Sequence, residues 1–307
     1  MARRRLLCLS LWTILTLPLP GLSQEGAPQE APQARQLPAP RQLEVRRAAS
    51  PIQVDGVLDE PAWADALVFD IPFEWFPGDN TPGPVKTDFL VTYDDDSLYA
   101  AWRAYDPDPA SIRAHLADRD TLTTFAQDDH VVLMVDPFND ERRGFQFRIN
   151  PLGVQADALF SQNEQLEDFS YDMIWDSAAR ITDEGYVVEV AIPLDQIRFP
   201  RTPGPQTWGF NVDRSYPRNV RHRMSASPIP RGLACVLCQA VKVTGFEDIE
   251  PGRNLEITPT LTAGRTDVID RFPDGDLEAG DEETDPGVSL RWGITPNITL
   301  SAAANPD

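Results

Sequence analysis

The sequence predicts an all-β chain: an antiparallel β-sandwich of jelly-roll type, followed by an incomplete β-barrel segment. Three observations predict it. The 307 residues include 29 prolines and 18 glycines, a density of breakers that helical bundles and coiled coils do not tolerate. From about Arg46 to Pro251, short runs of alternating apolar and polar residues are separated by Gly, Pro, Asp and Asn, the pattern of half-buried strands joined by tight turns. Beyond Pro251 the alternation resumes in longer stretches around an acidic insert, as in the strands of an outer-membrane barrel.

Residues 1–23 carry Arg3, Arg4 and Arg5, then an apolar stretch over 6–17 too short to span a bilayer, then Gly21-Leu22-Ser23 as a cleavage site. These are the parts of a secretory signal peptide, so an exported protein of the periplasm or outer membrane of a Gram-negative bacterium is expected. Residues 24–45, rich in Pro, Ala and Gln, bury too little apolar surface to fold and read as a disordered linker. Residues 46–250 are expected to form the sandwich. Thr87, Phe89, Val91 and Tyr93 share one strand face, Leu98, Ala100, Trp102 and Ala104 a face of the next, and Asp94-Asp95-Asp96-Ser97 makes the turn between them. Further strands are expected over 131–135, 145–150, 154–160, 186–192 and 208–213, with single helical turns at 60–66 and 194–197. Residues 251–307 read as the start of an outer-membrane barrel, strands at 255–263 and 288–304 flanking an acidic loop over 266–287 with nine acids against one arginine. Two or three strands cannot close a barrel, so the chain is expected to be the front part of a longer protein.

Charge narrows the partners. With 48 acids against 27 bases the net charge is −21, which repels phosphate backbones and excludes nucleic acid as a partner. Only Lys86 and Lys242 among the bases are lysines, and the arginine that remains suits planar hydrogen bonding. The chain has no Gly-x-Ser-x-Gly, no His-Glu-x-x-His and no phosphate-cradling loop, and His115, His130 and His222 are widely spaced. No catalytic residue is therefore assigned. Past the leader, Cys235 and Cys238 form a Cys-x-x-Cys that can close a local disulfide, remain two thiols or contribute to a metal site. No cofactor is implied, although the acidic turns at Asp94-Asp95-Asp96 and Asp106-Pro107-Asp108 can serve either as solvated turns or as calcium ligands.

In Phe145-Gln146-Phe147-Arg148-Ile149-Asn150, placing the apolar residues on the core puts Gln146, Arg148 and Asn150 on the opposite face. The same alternation places Asp157 opposite the core in 154–160, and Asn211 and Asp213 in 208–213. Amide, guanidinium and carboxylate groups on one face match sugar hydroxyls, which both donate and accept. A plain solvent-facing sheet shows the same alternation.

At these residues the chain resembles a known family. Residues 52–63 (IQVDGVLDEPAW), Tyr93-Asp94 with Leu98-Tyr99, the 129–136 run, Phe147-Arg148-Ile149-Asn150 and residues 185–193 (GYVVEVAIP) look like successive blocks of family 9 carbohydrate-binding modules. The resemblance covers residues 46–250. Arg198-Phe199, residues 208–211 (WGFN), Pro251-Gly252-Arg253 and residues 292–300 (WGITPNITL) look like bacterial envelope proteins in which an outer-membrane barrel follows such a module. The resemblance implies a sandwich that binds sugar on a sheet face, between two aromatic rings and beside polar groups of neighbouring strands. It carries over to Arg148. The first stacking aromatic falls near Ala126, where Phe125 substitutes; the glutamate expected in the 129–136 run is Val132; and the second stacking Trp has no match in 227–239. Trp63 reads as core, and Trp75 and Phe76, between Pro72 and Pro77, as aromatic candidates for the sugar face. The expected carbohydrate-binding set is thus Arg148, Gln146, Asn150, Asp157, Asn211, Asp213, Phe125 and Trp75. The expected function is glycan recognition and carbohydrate catabolism at the cell envelope. The alternatives are a part of a glycoside hydrolase, a haem domain using Met134, Met173 or Met224, and a structural periplasmic domain without sugar binding.

Overall fold

A computed structural model describes residues 39–252, 255–269, 271, 273–295 and 298–305; the expected signal peptide and most of the expected linker lie outside the described residues. From Gln42 the chain lays down fifteen strands: β1 (Gln42–Glu44), β2 (Leu67–Asp70), β3 (Phe73–Phe76), β4 (Thr81–Pro82), β5 (Thr87–Tyr93), β6 (Ser97–Tyr105), β7 (His130–Asp136), β8 (Arg143–Ile149), β9 (Gln155–Ser161), β10 (Leu166–Asp168), β11 (Asp176–Thr182), β12 (Gly185–Pro193), β13 (Gln206–Pro217), β14 (Arg221–Ser225) and β15 (Val241–Phe246). Two single-turn helices interrupt them, α1 (Pro61–Ala64) and α2 (Leu122–Phe125). The turn expected at 60–66 is α1; the one expected at 194–197 is not helical, and α2 had no sequence signal.

The larger sheet has ten strands, in the order β10-β9-β8-β7-β13-β14-β3-β4, with β15 beside the first half of β13 and β1 beside β15. The smaller has the order β11-β12-β6-β5-β2. Their facing sides form one core. Phe89, Trp102, Tyr186, Val188 and Val190 come from the small sheet, and Leu133, Val135, Phe147, Phe210 and Val212 from the large one. Each sequence-derived face of β5 and β6 is the observed one.

Turns are fixed by side chains. Asp94 Oδ1 accepts the backbone N–H groups of Asp96 and Ser97 at 2.9 and 2.8 Å and Oδ2 accepts the Tyr99 hydroxyl, which closes the β5–β6 hairpin. Asp106 Oδ1 likewise accepts Asp108 N–H at 2.9 Å, and Oδ2 pairs with Arg218. Asp94 and Asp106, from the two acidic turns, thus each hold a turn, and Asp106 an ion pair as well. At the β11–β12 turn Gly185 has φ +141°, and a Cβ there would stand 2.1 Å from Ala104 O, so the hairpin admits only glycine.

Both outer faces are partly covered. On the small sheet, residues 52–66 fold back so that Trp63 packs on Leu90 and Ala101, with Ile52, Leu58 and Tyr99 at the margin. Trp63 is core, as its sequence block implied. The polar seal under this cover is Glu189, fully buried, whose Oε2 accepts Asp55 and Gly56 N–H and whose Oε1 accepts Trp63 Nε1–H, each at 3.0 Å.

The stretch read as linker gives its last residues to the fold: β1 runs parallel to β15, with Leu43 opposite Val243. Three residues on, Arg47 bridges to Tyr93 of the small sheet, and Tyr93 donates its hydroxyl to Gly245 O at 2.7 Å. After Pro251 come β16 (Leu255–Arg265), β17 (Val268–Ile269), β18 (Leu277–Glu278), β19 (Glu282–Thr295) and β20 (Ile298–Ala304), of which β16-β19-β20 form a separate antiparallel sheet. The loop expected over 266–287 is shorter than expected, because β19 already begins at Glu282. Among the described residues no helix is long and apolar enough to cross a membrane.

Candidate functional site

On the outer face of the large sheet the register brings side chains of six strands into one surface. Arg148 of β8 lies opposite Val132 of β7, Val132 opposite Asp213 of β13, and Asp213 opposite Ser225 of β14. One step along the strands, His130 faces Ser215 and Ser215 faces Arg223. Alternation on β14 adds Arg221 to the face of Arg223 and Ser225. Val132, where the resemblance implied a carboxylate, thus has the Asp213 carboxylate beside it, one strand away.

Aromatic rings stand at both ends of this row. The Arg148 guanidinium lies 5.3 Å from the Phe169 ring centre, just past β10, and the Arg223 guanidinium 4.5 Å from that of Trp75 on β3. The β3–β14 ladder shifts register here, pairing Arg223 with Phe76 and Met224 with Glu74. Trp75 is therefore the extra residue of a bulge, and a bulge re-aims its side chain. Along the strand direction the row is closed on one side by Phe125, Val154 and Ala156 and on the other by Met134, Phe160 and Leu237. Leu237 is held there by a local Cys235–Cys238 disulfide and by Gln162 Oε1, which accepts Val236 and Leu237 N–H at 2.9 and 3.0 Å. The disulfide is the first of the readings open for the Cys-x-x-Cys.

Electrostatics tie the row together. Arg148 forms an ion pair with Glu167 of β10, and Gln146 donates to the same carboxylate at 3.1 Å. Burial pushes the Asp213 carboxyl up to about 6, against the pull of Arg223, Ser225 and Arg148. Burial also lowers the Arg223 guanidinium, opposed by Asp213, and holds His130 down near about 3, with Arg148, Arg223 and Arg221 adding to the depression. Arg148 Nε, Asp213 Oδ1 and Trp75 Nε1 are buried and make no hydrogen bond within the protein.

Of the residues expected at the site, Arg148, Gln146, Asp213 and Trp75 come together here, and four do not. Asp157 is a correction: it pairs with Phe147 across β8–β9, so it faces the inner side. There it pairs with Arg119 and accepts Met173 N–H at 2.7 Å and Trp175 Nε1–H at 3.3 Å. The parity slipped because Val154, Ala156 and Phe160 are buried by loops on the outer face and not by the opposite sheet. Asn150 is fully buried and closes the β8–β9 turn, its Oδ1 accepting Leu152 and Val154 N–H at 3.0 Å each. Asn211 is buried and donates to Val236 O at 3.2 Å, holding the disulfide loop. Phe125 is 1% exposed and packs edge-on against His130, so it offers no ring face to a ligand. Phe76 is 47% exposed, beside the bulge. Sequence reasoning missed Glu167, Phe169 and Arg223. The Arg221-His222-Arg223 alternation carried a signal for the last, whereas nothing in the short β10 run marked the other two.

The carbohydrate family 9 binding domain-like model matches residues 54–225. Among curated proteins none matches. A crystal structure of a Bacteroides uniformis protein assigned as carbohydrate-binding aligns with a TM-score of 0.54 at 15% identity, over 69% of this chain and 100% of that one. A family 9 carbohydrate-binding module from Caldicellulosiruptor kristjanssonii, solved with cellotriose, aligns with a TM-score of 0.49 at 15% identity, over 69% and 95%.

Proposed function

From the premise that this chain belongs to the carbohydrate family 9 binding domain-like family, we propose that it binds a saccharide on the outer face of the large sheet. One observation carries the reading: three buried polar atoms with unused hydrogen-bonding capacity, Arg148 Nε, Asp213 Oδ1 and Trp75 Nε1, belong to one row flanked by Trp75 and Phe169. Two donors, an acceptor and two aromatic rings suit a pyranose, since its hydroxyls both donate and accept and its C–H face stacks on aromatics. Burying such atoms unpaired costs roughly 1–3 kcal/mol each, a cost that a bound hydroxyl relieves.

Isothermal titration of saccharides against the full chain, after a glycan-array screen, tests this. Arg148→Ala is expected to weaken binding about ten- to hundred-fold, the loss of one charge-assisted hydrogen bond. Stability is expected to change by less than about 1 kcal/mol, because the partner Glu167 side chain is 34% exposed. No saccharide bound at any concentration, or a variant that melts early and binds unchanged, would remove the reading.

We also propose that the chain is exported and that β16, β19 and β20 belong to an outer-membrane barrel. Leu255, Ile257 and Leu261 of β16, Val288 and Trp292 of β19, and Leu300 of β20 share one side of that sheet and are 42–71% exposed. The opposite side carries Thr258, Thr262, Ser289, Arg291 and Ser301. Apolar outside and polar inside is the dyad of lipid-facing strands. Protease protection of 255–304 in phospholipid vesicles supports this, and full digestion counts against it.

A further inference from the structure

The two arginines of β14 are matched differently from Arg148 on the same face and from Arg119 and Arg218 elsewhere in the sandwich. Arg119 is paired with Asp157 and Asp120, Arg148 with Glu167, and Arg218 with Asp106 and Asp129. Arg221 and Arg223 form no hydrogen bond or ion pair with any described residue, although both are half-buried. The chain has 48 acids against 27 bases, so carboxylates are abundant. A desolvated guanidinium without an acceptor is costly, and in so acidic a chain two of them on one face constitute a cationic spot. The Arg223 guanidinium lies over the Trp75 ring, 4.5 Å from its centre, and a guanidinium presents a planar fork that suits a bidentate acceptor. Register puts His130 opposite Ser215 and Ser215 opposite Arg223, with Arg221 two residues along on the same strand face and Arg148 opposite Val132. Glu167 is neutralised by Arg148, and Asp213 lies one register step from Arg223, away from Arg221.

We propose that the saccharide held by this face is acidic: a uronic-acid residue whose carboxylate is received by Arg223 and Arg221 beside Trp75, while its hydroxyls reach Asp213 and Arg148. The inference rests on the saccharide reading and adds its chemical class. A carboxylate on a pyranose puts a planar two-oxygen acceptor at the ring edge, the geometry an arginine fork recognises. Neutral sugars leave that fork unfilled.

The test compares three ligands. Trigalacturonate and its methyl ester share one skeleton and differ in the carboxylate charge and an added methyl, and glucose 6-sulfate presents a different anion on another sugar. Titrations on the full chain are expected to show trigalacturonate at least tenfold tighter than the ester. Arg223→Gln is expected to lower trigalacturonate affinity ten- to hundred-fold and ester affinity less than threefold, whereas Arg223→Lys, which keeps the charge, retains part of the preference. Equal affinity for acid and ester would overturn the acidic assignment while leaving the saccharide site standing. Preference for the sulfate ester would overturn the carboxylate. Failure of every acidic and neutral saccharide to bind would remove both readings, and equal loss of acid and ester in Arg223→Gln would reduce Arg223 to a support for Trp75.

Discussion

Replacing Glu189 by Ala tests how the 52–66 cover is held to the small sheet. Among the described residues its carboxylate is the only acceptor for the N–H groups of Asp55 and Gly56 and the Trp63 indole, all at 3.0 Å. Asp55 is exposed and can turn to water, whereas Gly56 and Trp63 are buried. Two buried orphan donors cost roughly 1–3 kcal/mol each. Against this stands relief of a desolvated charge, since burial holds the Glu189 carboxyl above its ordinary value. The balance is a loss of about 3 kcal/mol, and at about 2–4 °C per kcal/mol for a domain of this size the melting temperature falls by about 6–12 °C. Glu189→Gln keeps one oxygen for the two backbone donors but turns an amide N–H₂ toward the Trp63 N–H, so its loss is intermediate. Urea denaturation of both variants, read by Trp fluorescence and with unchanged m-values, checks the order. Ala and Gln variants of equal stability, or an Ala variant as stable as the parent, would refute the assignment of Glu189 as the seal.

Other outcomes follow from the same structure. Trp63→Ala is expected to cost about 3–5 kcal/mol and to leave saccharide affinity unchanged, as thermal melts and titration on one sample will show. Asp157→Ala removes the acceptor of Met173 N–H, Trp175 Nε1–H and Arg119 and is expected to destabilise by about 2–4 kcal/mol; a change confined to ligand affinity would return Asp157 to the site. The Asp213 carboxyl, raised from 3.8 to about 6 in the fold, holds its proton more tightly folded than unfolded. Its contribution to stability is therefore greatest below about 3.8 and is lost as pH rises through about 6. Asp213→Asn is expected to flatten that part of the stability–pH profile in urea melts, and an unaltered slope would contradict it.

How much was legible depended on whether a residue's neighbours lay along its own strand. Alternation placed Phe89, Trp102, Phe147 and Phe210 correctly, because period two fixes their face once one member is buried. It failed at Asp157 because apolar residues occupy both faces of β9, and alternation cannot distinguish burial by the second sheet from burial by α2 and the disulfide loop. Asn150 and Asn211 share the outward parity of Arg148 and Asp213, yet their amides hold a turn and a loop. Parity gives direction, and loop contacts decide accessibility. Arg223 and Glu167 join the site through cross-strand register, which no single strand contains.

Strand β1 has a consequence for how the molecule comes into being. It pairs in parallel with a strand about two hundred residues downstream, Leu43 with Val243, a pairing whose loop closure is entropically expensive and slow. A chain that emerges N-terminus first cannot close this seam until residue 246 has emerged, shortly before β16 begins at Leu255. The sandwich is therefore the last thing completed before the C-terminal sheet arrives. Delay at that seam would expose unpaired β15 and β16 together, and a chaperone guarding one would have to guard both.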